Sequence, residues 1–429
     1  MDRKEFLKKS IVTVAGGLIM PHIIPSSALG RGVYTAPSDR IIMGGIGVGS
    51  MGQGDMRSFG QLKGIQYVSV CDVDANHYNK AKGMVDNHYG NNDCTVYKDY
   101  TEFLENEKLD AVHIATPDHW HALVYIAAIN KGLAVYGQKP LVRTIKEGRA
   151  VVNAAKNKKT VWQTGSQQRS GEKFRRACEL VINGRIGKVK YVEVGLPNGV
   201  KPIGTPPVQP VPEGLDWDMW LGPAQKVPYR GVSHWNWRWI MDYSGGQLTD
   251  WAGHHIDIAL WGLGMERTGP VEIEGKGVFP LEGLYDVPVE YDISCKYENG
   301  LDMRIANNRK LKYGQGVTWF GEHGWIHINR GGISASDEKI LKEEIGDNEI
   351  KLYKSDNHHQ NFLDCISTKK ETVAPVDIAH NSISVALLGE IAMLTEKKLL
   401  WDPKNEVFLN DDMANRLLER PYRTPYKLK

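Results

Sequence analysis

The sequence predicts two halves: an α/β half with a doubly wound parallel sheet, then an α+β half with a large, mainly antiparallel sheet and flanking helices. Three observations carry this. The chain is 429 residues long, which favours two cores over one. Its first third alternates short apolar runs with polar, helix-compatible stretches. Beyond about residue 188 the strand-like runs follow one another with no helices between them.

The elements follow in order. Strands are predicted at Ile41 to Ile46, Ile65 to Cys71, Ala111 to Ala115, Leu133 to Tyr136 and Thr160 to Gln163. Helices are predicted over Tyr78 to Tyr89, Leu123 to Lys131 and the stretch around Arg149 to Ala155. Lys188 to Val194 opens the second half as a strand. Residues 196 to 214 hold Pro197, Pro202, Pro206, Pro207, Pro210 and Pro212, so a long loop is expected there. Further strands are expected at Val271 to Val278, Glu290 to Tyr297, Asp302 to Asn307, Val317 to Phe320 and Trp325 to Asn329. Helices return at Asn361 to Ile366 and Ser382 to Thr395. The expected divisions are 1–35, an export signal and linker; 36–163, the parallel-sheet domain; and 164–429, the α+β domain.

Composition excludes several classes. Lys plus Arg is 53 and Asp plus Glu is 51, so there is no basic surplus to neutralise a nucleic-acid backbone. The five cysteines are scattered and never spaced C-x-x-C, so they read as buried thiols rather than a zinc or disulfide framework. The N-terminus has the three parts of a signal peptide: Arg3, Lys4, Lys8 and Lys9, an apolar run from Ile11 to Met20, and small residues at Ser26 and Ala28. The apolar run is too short to span a bilayer, so no integral span is expected once the signal is removed. The stretch Arg3-Lys4-Glu5-Phe6-Leu7-Lys8 approaches a twin-arginine signal, with Lys4 as its departure. A periplasmic or exported location is expected; an amphipathic tail on a cytoplasmic protein is the alternative.

Gly47-Val48-Gly49-Ser50-Met51-Gly52 follows the first strand directly as G-x-G-x-x-G. A helix opening there would turn its free amides toward a pyrophosphate. Asp72 ends the next strand, where a carboxylate would bind ribose hydroxyls. The next cation after Asp72 is Lys80, which favours NAD over NADP. Strand, glycine pattern and acid together describe a Rossmann domain; a glycine-rich turn in an unrelated α/β protein is the plainer alternative. Thr116, Pro117, His121 and Lys139 lie at or after the carboxyl ends of the third and fourth strands, where such sheets bind ligands.

Asp250, His254 and Asp257 recur at i, i+4 and i+7, on one face of a helix whose other side carries Ala252, Ile256, Ala259, Leu260 and Leu263. Oxidising a secondary alcohol requires loss of a hydride and a proton, and histidine suits the proton near neutral pH. Three further segments accompany the glycine motif: Ala115-Thr116-Pro117 with His121, Gln138-Lys139-Pro140, and Gly245-Gly246 with Asp250 and His254. Together they resemble the Gfo/Idh/MocA oxidoreductases: glucose-fructose oxidoreductase, inositol dehydrogenase and rhizopine-catabolism proteins. The resemblance runs from about residue 38 to 400, and its departure is Gln138, where most members carry Glu. It implies that Lys139 and His254 are the catalytic pair and that Asp250 orients the substrate hydroxyl. It implies NAD bound by Gly47, Gly49, Ser50, Met51, Gly52, Asp72, Thr116, Pro117, His121 and Lys139. It implies a sugar or glycoside oxidised at a ring hydroxyl such as C3, no metal, and a homodimer or homotetramer formed through the outer face of the second sheet. A metal on His254-His255 or on His119 and His121 is the weaker reading.

An exported enzyme has no evident supply of free NAD, so the cofactor is expected to be held and recycled in place. Two reactions fit: coupled oxidation and reduction of sugars, or redox-neutral glycoside hydrolysis by oxidation, elimination, hydration and reduction. A non-catalytic sugar- or nucleotide-binding protein is the remaining alternative. Gln167, Arg169, His234, Trp237 and Arg238 are candidate substrate contacts. Of the 12 Trp, seven lie between Trp217 and Trp261. Trp235, Trp237 and Trp239 alternate as on one face of an extended segment, offering a wall for a sugar ring; core packing is the alternative.

Overall fold

The computed structural model describes residues 40–428. The export signal and linker expected over 1–35 lie outside the described residues.

The first half runs β1 (Ile41–Ile46), α1 (Ser50–Gly60), β2 (Ile65–Cys71), α2 (Ala75–Tyr89), β3 (Thr95–Tyr97), α3 (Tyr100–Asn106), β4 (Ala111–Ile114), α4 (Asp118–Asn130), β5 (Ala134–Gly137), α5 (Ile145–Lys158) and β6 (Trp162–Thr164). Its six strands are all parallel, in the order β3-β2-β1-β4-β5-β6. The order reverses between β1 and β4, and that reversal opens a crevice at their carboxyl ends. Local chemistry moves the predicted boundaries. Asp74 caps α2 by accepting from the Asn76 amide, so the helix begins at Ala75 rather than Tyr78. α4 begins at Asp118, directly after Pro117. Thr144 and Glu147 form a reciprocal capping box at the start of α5. β3 is too short to show a period and α3 follows it closely; neither is in the sequence expectation.

The second half runs α6 (Glu172–Ile182), β7 (Val189–Leu196), α7 (Trp217–Leu221), α8 (Gly246–Leu263), β8 (Glu272–Val278), β9 (Glu290–Lys296), β10 (Asp302–Asn307), β11 (Gly316–Gly321), β12 (Trp325–Asn329) and β13 (Gly332–Ala335). It ends with α9 (His358–Thr368), α10 (Val376–Thr395), β14 (Leu399–Asp402), β15 (Val407–Phe408) and α11 (Asp412–Arg416). The nine-stranded sheet has the order β13-β12-β11-β7-β10-β9-β8-β14-β15. Only the β7–β10 pair is parallel. In β9, Tyr291, Ile293 and Cys295 are buried while Ser294 and Lys296 are exposed, so the sheet has one covered and one open face. Helix α8 lies on the covered face, where Trp319 donates to the Ala259 carbonyl (3.1 Å). Helix α10 is long and apolar enough to cross a bilayer, but most of it is buried within the protein.

Two features join the halves. α9 places Phe362, Leu363 and Ile366 in the same core as Phe59 and Tyr136 of the first half. A C-terminal clasp returns across α4 and α5: Arg420 bonds Glu147 (2.9 Å), the Asp242 carbonyl (2.9 Å) and the His119 carbonyl (2.7 Å), and Tyr422 bonds Glu147 (2.6 Å). The five cysteines are buried free thiols.

Candidate active site

The glycine loop after β1 forms one wall of a cleft lined by Gly47, Gly49, Ser50, Met51, Asp72, Thr116 and Pro117. Gly47 has φ +75°, and an added Cβ would meet the backbone of Ala115 and Thr116 at 2.6–2.8 Å. Gly52 closes the turn, because a Cβ there would sit 2.2 Å from the Gly47 carbonyl oxygen. α1 opens with no side-chain cap, which leaves its first amides facing the cleft mouth. Asp72 sits beneath the loop: Oδ2 accepts from the Val48 amide (2.8 Å) and Oδ1 from the Asp74 amide (3.0 Å). Glycine cradle, uncapped helix and carboxylate together fit a dinucleotide.

The second half closes over this cleft. Leu215 pairs with Asp74 in an antiparallel bridge, Ala75 N donates to the Gly214 carbonyl (2.9 Å) and Asp216 N to the Val73 carbonyl (3.0 Å). Farther along, Trp235 meets His77 edge-on, with centroids 5.5 Å apart. The Pro-rich segment therefore ends as a strap fastened beside Asp72.

Beyond the strap lies the polar centre. Lys139, just past β5, bonds through Nζ to Asp250 Oδ1 (2.8 Å) and to the Asp250 carbonyl (3.3 Å). Arg238 Nε lies 3.5 Å from the same carboxylate oxygen. Burial pushes the Asp250 carboxyl upward, but Lys139 and Arg238 outweigh it and hold it below the usual range. One turn on, His254 is buried with Nδ1 unpaired. Burial, then the charges of Lys139 and Arg330, hold its imidazole well below the ordinary histidine range, so it is neutral. Close approach depends on Gly253, whose added Cβ would lie 3.1 Å from Lys139 Cβ. Ser166 fixes this passage by donating to the Gly253 carbonyl (2.8 Å).

Residues 41–166 match the profile described as the oxidoreductase family's NAD-binding Rossmann fold, and residues 204–428 match the family's C-terminal alpha/beta domain. The chain is a member of the Gfo/Idh/MocA oxidoreductase family. It is 23% identical to the uncharacterized oxidoreductase YrbE of Bacillus subtilis over 348 residues, covering 78% of this chain and 88% of that protein. It is 26% identical to an alpha-N-acetylgalactosaminidase of Shewanella oneidensis over 212 residues, a match that spans 45% of each chain. The fold is shared with the WlbA dehydrogenase of Bordetella pertussis, solved with NADH and UDP-GlcNAcA: TM-score 0.62, 16% identity, covering 85% of this chain and 99% of that one. As a Gfo/Idh/MocA member the chain takes NAD as its cofactor.

Several sequence expectations for this member are redirected by the structure. His121 does not face the cleft. It is buried and spans two backbone carbonyls, Pro140 and Thr116 (both 2.8 Å), so it pins the ends of β4 and β5 together. Arg169 is not a substrate contact, because its buried guanidinium is paired with Asp257 (2.6 Å) and Glu266 (2.7 Å). Asp257 therefore faces this core pair rather than the site. Gln167 is half-buried and does not line the cleft, whereas its neighbour Gln168 reaches the His254 backbone. His234, Trp237 and Arg238 do line it. Trp235, Trp237 and Trp239 are not on an extended strand. Trp237–Trp239 form a single 3₁₀ turn, which aims Trp235 and Trp237 into the cleft and packs Trp239 against the aromatic cluster of Trp217 and Trp220. Gln138 is buried and donates to buried Asp55 (2.7 Å). His119 and His121 each bond carbonyls, and His255 turns toward Gln315, so these side chains do not converge as a ligand set.

Three residues near the centre were not anticipated: Asp118, Gln168 and Arg330. Asp118 accepts from the Ser244 hydroxyl (2.6 Å), and burial raises its carboxyl to about 7. A carboxylate following Thr116-Pro117 was a legible signal for Asp118. Arg330 is brought in from a hairpin turn and had none.

Proposed function

We propose that the protein is an NAD-dependent oxidoreductase that acts on a ring hydroxyl of a sugar or glycoside, C3 in the simplest case, and retains its cofactor between turnovers. The observation that carries this reading is the Lys139–Asp250 contact at the carboxyl end of β5, with neutral His254 one helical turn away. NAD, when bound, supplies a two-electron hydride acceptor and returns the hydride when reduced. The chain's own residues do the rest. Asp250 accepts a hydrogen bond from a substrate hydroxyl and so orients the ring. Lys139, held by Asp250 at 2.8 Å, stabilises the oxygen as negative charge develops. His254, uncharged near neutral pH, is in the form that takes the hydroxyl proton.

The strap at Leu215 and Trp235 supports cofactor retention, because it crosses the edge through which the adenosine end would leave. Retention in turn suits an exported enzyme, and we infer that the chain is carried out folded with its nucleotide. The open sheet face carries a half-buried aromatic cluster of Tyr191, Tyr313, Phe320 and Trp325, which suits a homodimer or homotetramer.

The test is direct. Purified protein is denatured and its supernatant assayed for NAD, and the native protein is mixed with sugars and glycosides while nicotinamide absorbance is followed. Stoichiometric bound nucleotide, reduced by a sugar, is expected. Protein that arrives empty and turns over only with abundant added NAD would sink retention. A second reading, redox-neutral glycoside hydrolysis, is favoured by the likeness to alpha-N-acetylgalactosaminidase. It predicts nitrophenol release from a nitrophenyl glycoside with no net change in nicotinamide absorbance.

A further inference from the structure

We propose that Arg330 reads a carboxylate on the substrate, so that the preferred substrate is an acidic sugar such as a hexuronic acid or its glycoside. The inference rests on the oxidoreductase reading above and names the substrate class of the same site.

Arg330 follows β12 at the turn into β13, an exposed position, and its guanidinium folds back over the Trp251 ring at 4.7 Å. Trp251 is the residue after Asp250 and meets the His254 ring at 5.5 Å. Gln168, with its amide turned to satisfy both neighbours, donates to the His254 carbonyl (3.0 Å) and accepts from Arg330 Nε (3.1 Å). One edge of the guanidinium is thus fixed from behind, and the two terminal nitrogens remain. No carboxylate among the described residues lies within ion-pair distance of it, unlike Arg143, Arg149, Arg169, Arg185 and Arg304.

The charge balance points the same way. Lys139 and Arg238 already share Asp250, so Arg330 is a cation left over beside the reacting group. Partial burial of its guanidinium against Trp251 lowers its pKa, and the charge of Asp250 opposes that shift. The free end-on edge, with its two terminal N–H groups side by side, matches a carboxylate by two parallel hydrogen bonds. A phosphate dianion would ask for more positive charge than one uncommitted guanidinium supplies. Trp251 separates the fork from the Lys139–His254 centre, which places the acid and the reacting hydroxyl on different carbons of one ring.

Calorimetric titration of the NAD-loaded enzyme tests this, with methyl glucuronide and galacturonate as acids and methyl glucoside and galactose as their neutral counterparts. At least one acid is expected to bind about 10- to 100-fold tighter than its neutral partner. In Arg330→Gln that ratio should fall toward one; Arg330→Lys, which keeps charge without the fork, should retain part of it. Equal binding of acids and neutrals, no binding of any acid, or a preference that survives Arg330→Gln overturns the proposal. Nicotinamide absorbance is read on the same samples. Acid binding that depends on Arg330 without any reduction supports the proposal and rejects the oxidoreductase reading.

Discussion

Replacing Gln138 by Glu restores the residue most family members carry, and here it should destabilise the fold in a pH-dependent way. Gln138 Nε2 donates to Asp55 Oδ2 at 2.7 Å, and both residues are buried. Glu in its place removes the donor and sets two carboxyls against each other. If both stayed ionised at that separation of 2.7 Å, repulsion would cost about 6 kcal/mol at an effective dielectric of 20. Holding one proton between them costs less. From an unfolded glutamate near 4.3, it costs about 3.7 kcal/mol at pH 7 and about 1 kcal/mol at pH 5. The pair's folded-state pKa is raised, so the native protein binds the extra proton and stability falls as pH rises above the unfolded value. Urea unfolding of parent and variant at the two pH values measures this directly. The reciprocal variant Asp55→Asn with Gln138→Glu should recover most of the loss, since an Asn amide can donate to the new carboxylate. A loss that is the same at both pH values, or no loss, would refute the reasoning. So would failure of the reciprocal pair to rescue it. The departure at Gln138 would then need another explanation than a carboxylate moved from β5 to α1.

Further outcomes can be measured. Lys139→Ala should slow nicotinamide reduction about 100- to 10,000-fold in single-turnover mixing, because the cation beside the developing alkoxide is gone; an unchanged rate removes Lys139 from the chemistry. Asp118→Asn should gain stability relative to the parent as pH rises from 4 to 7, by at most about 4 kcal/mol, because burial raises the parent carboxyl to about 7 and its ionisation above the unfolded value disfavours folding. A flat difference across that range in denaturant titrations would show that the group ionises freely. Trp235→Ala should speed NAD release roughly 2- to 12-fold, the equivalent of one lost aromatic contact, as followed by dilution into a trap. Release at the parent rate would place the retaining contacts elsewhere on the strap.

The parts of the fold governed by local pattern were legible. Ile41 to Ile46 and Ile65 to Cys71 carry enough apolar residues to mark buried strands, and the glycines between them have one steric purpose. Helix Glu172–Ile182 was also legible, since Phe174, Ala177, Cys178 and Val181 form a helical stripe, although it is absent from the expectation. The parallel β7–β10 pair was not, because nothing local distinguishes it from the antiparallel pairs around it. At the site, spacing placed Asp250 and His254 on one helix face, while Lys139 as their partner came only with the family resemblance, because residues 139 and 250 meet only in the folded chain. Arg169 was misplaced because its partner Asp257 lies 88 residues away and only the folded chain joins them. The tryptophans at 235, 237 and 239 have a strand's period but sit on a turn, where the domain seam overrides local alternation.

The C-terminal clasp also has a consequence for synthesis. Arg420 and Tyr422 fasten Glu147 and the His119 carbonyl, yet they leave the ribosome after nearly everything they hold. At ordinary elongation speeds, roughly 13–50 s separate Thr164, the last residue of the first sheet, from Arg420. Through that interval the nascent Rossmann half has its glycine loop but not its clasp, and the strap at Leu215 and Trp235 joins it only part-way. A retained cofactor would therefore have a natural time of entry, before the chain is finished, and cytoplasmic NAD during translation would set the occupancy for the protein's lifetime.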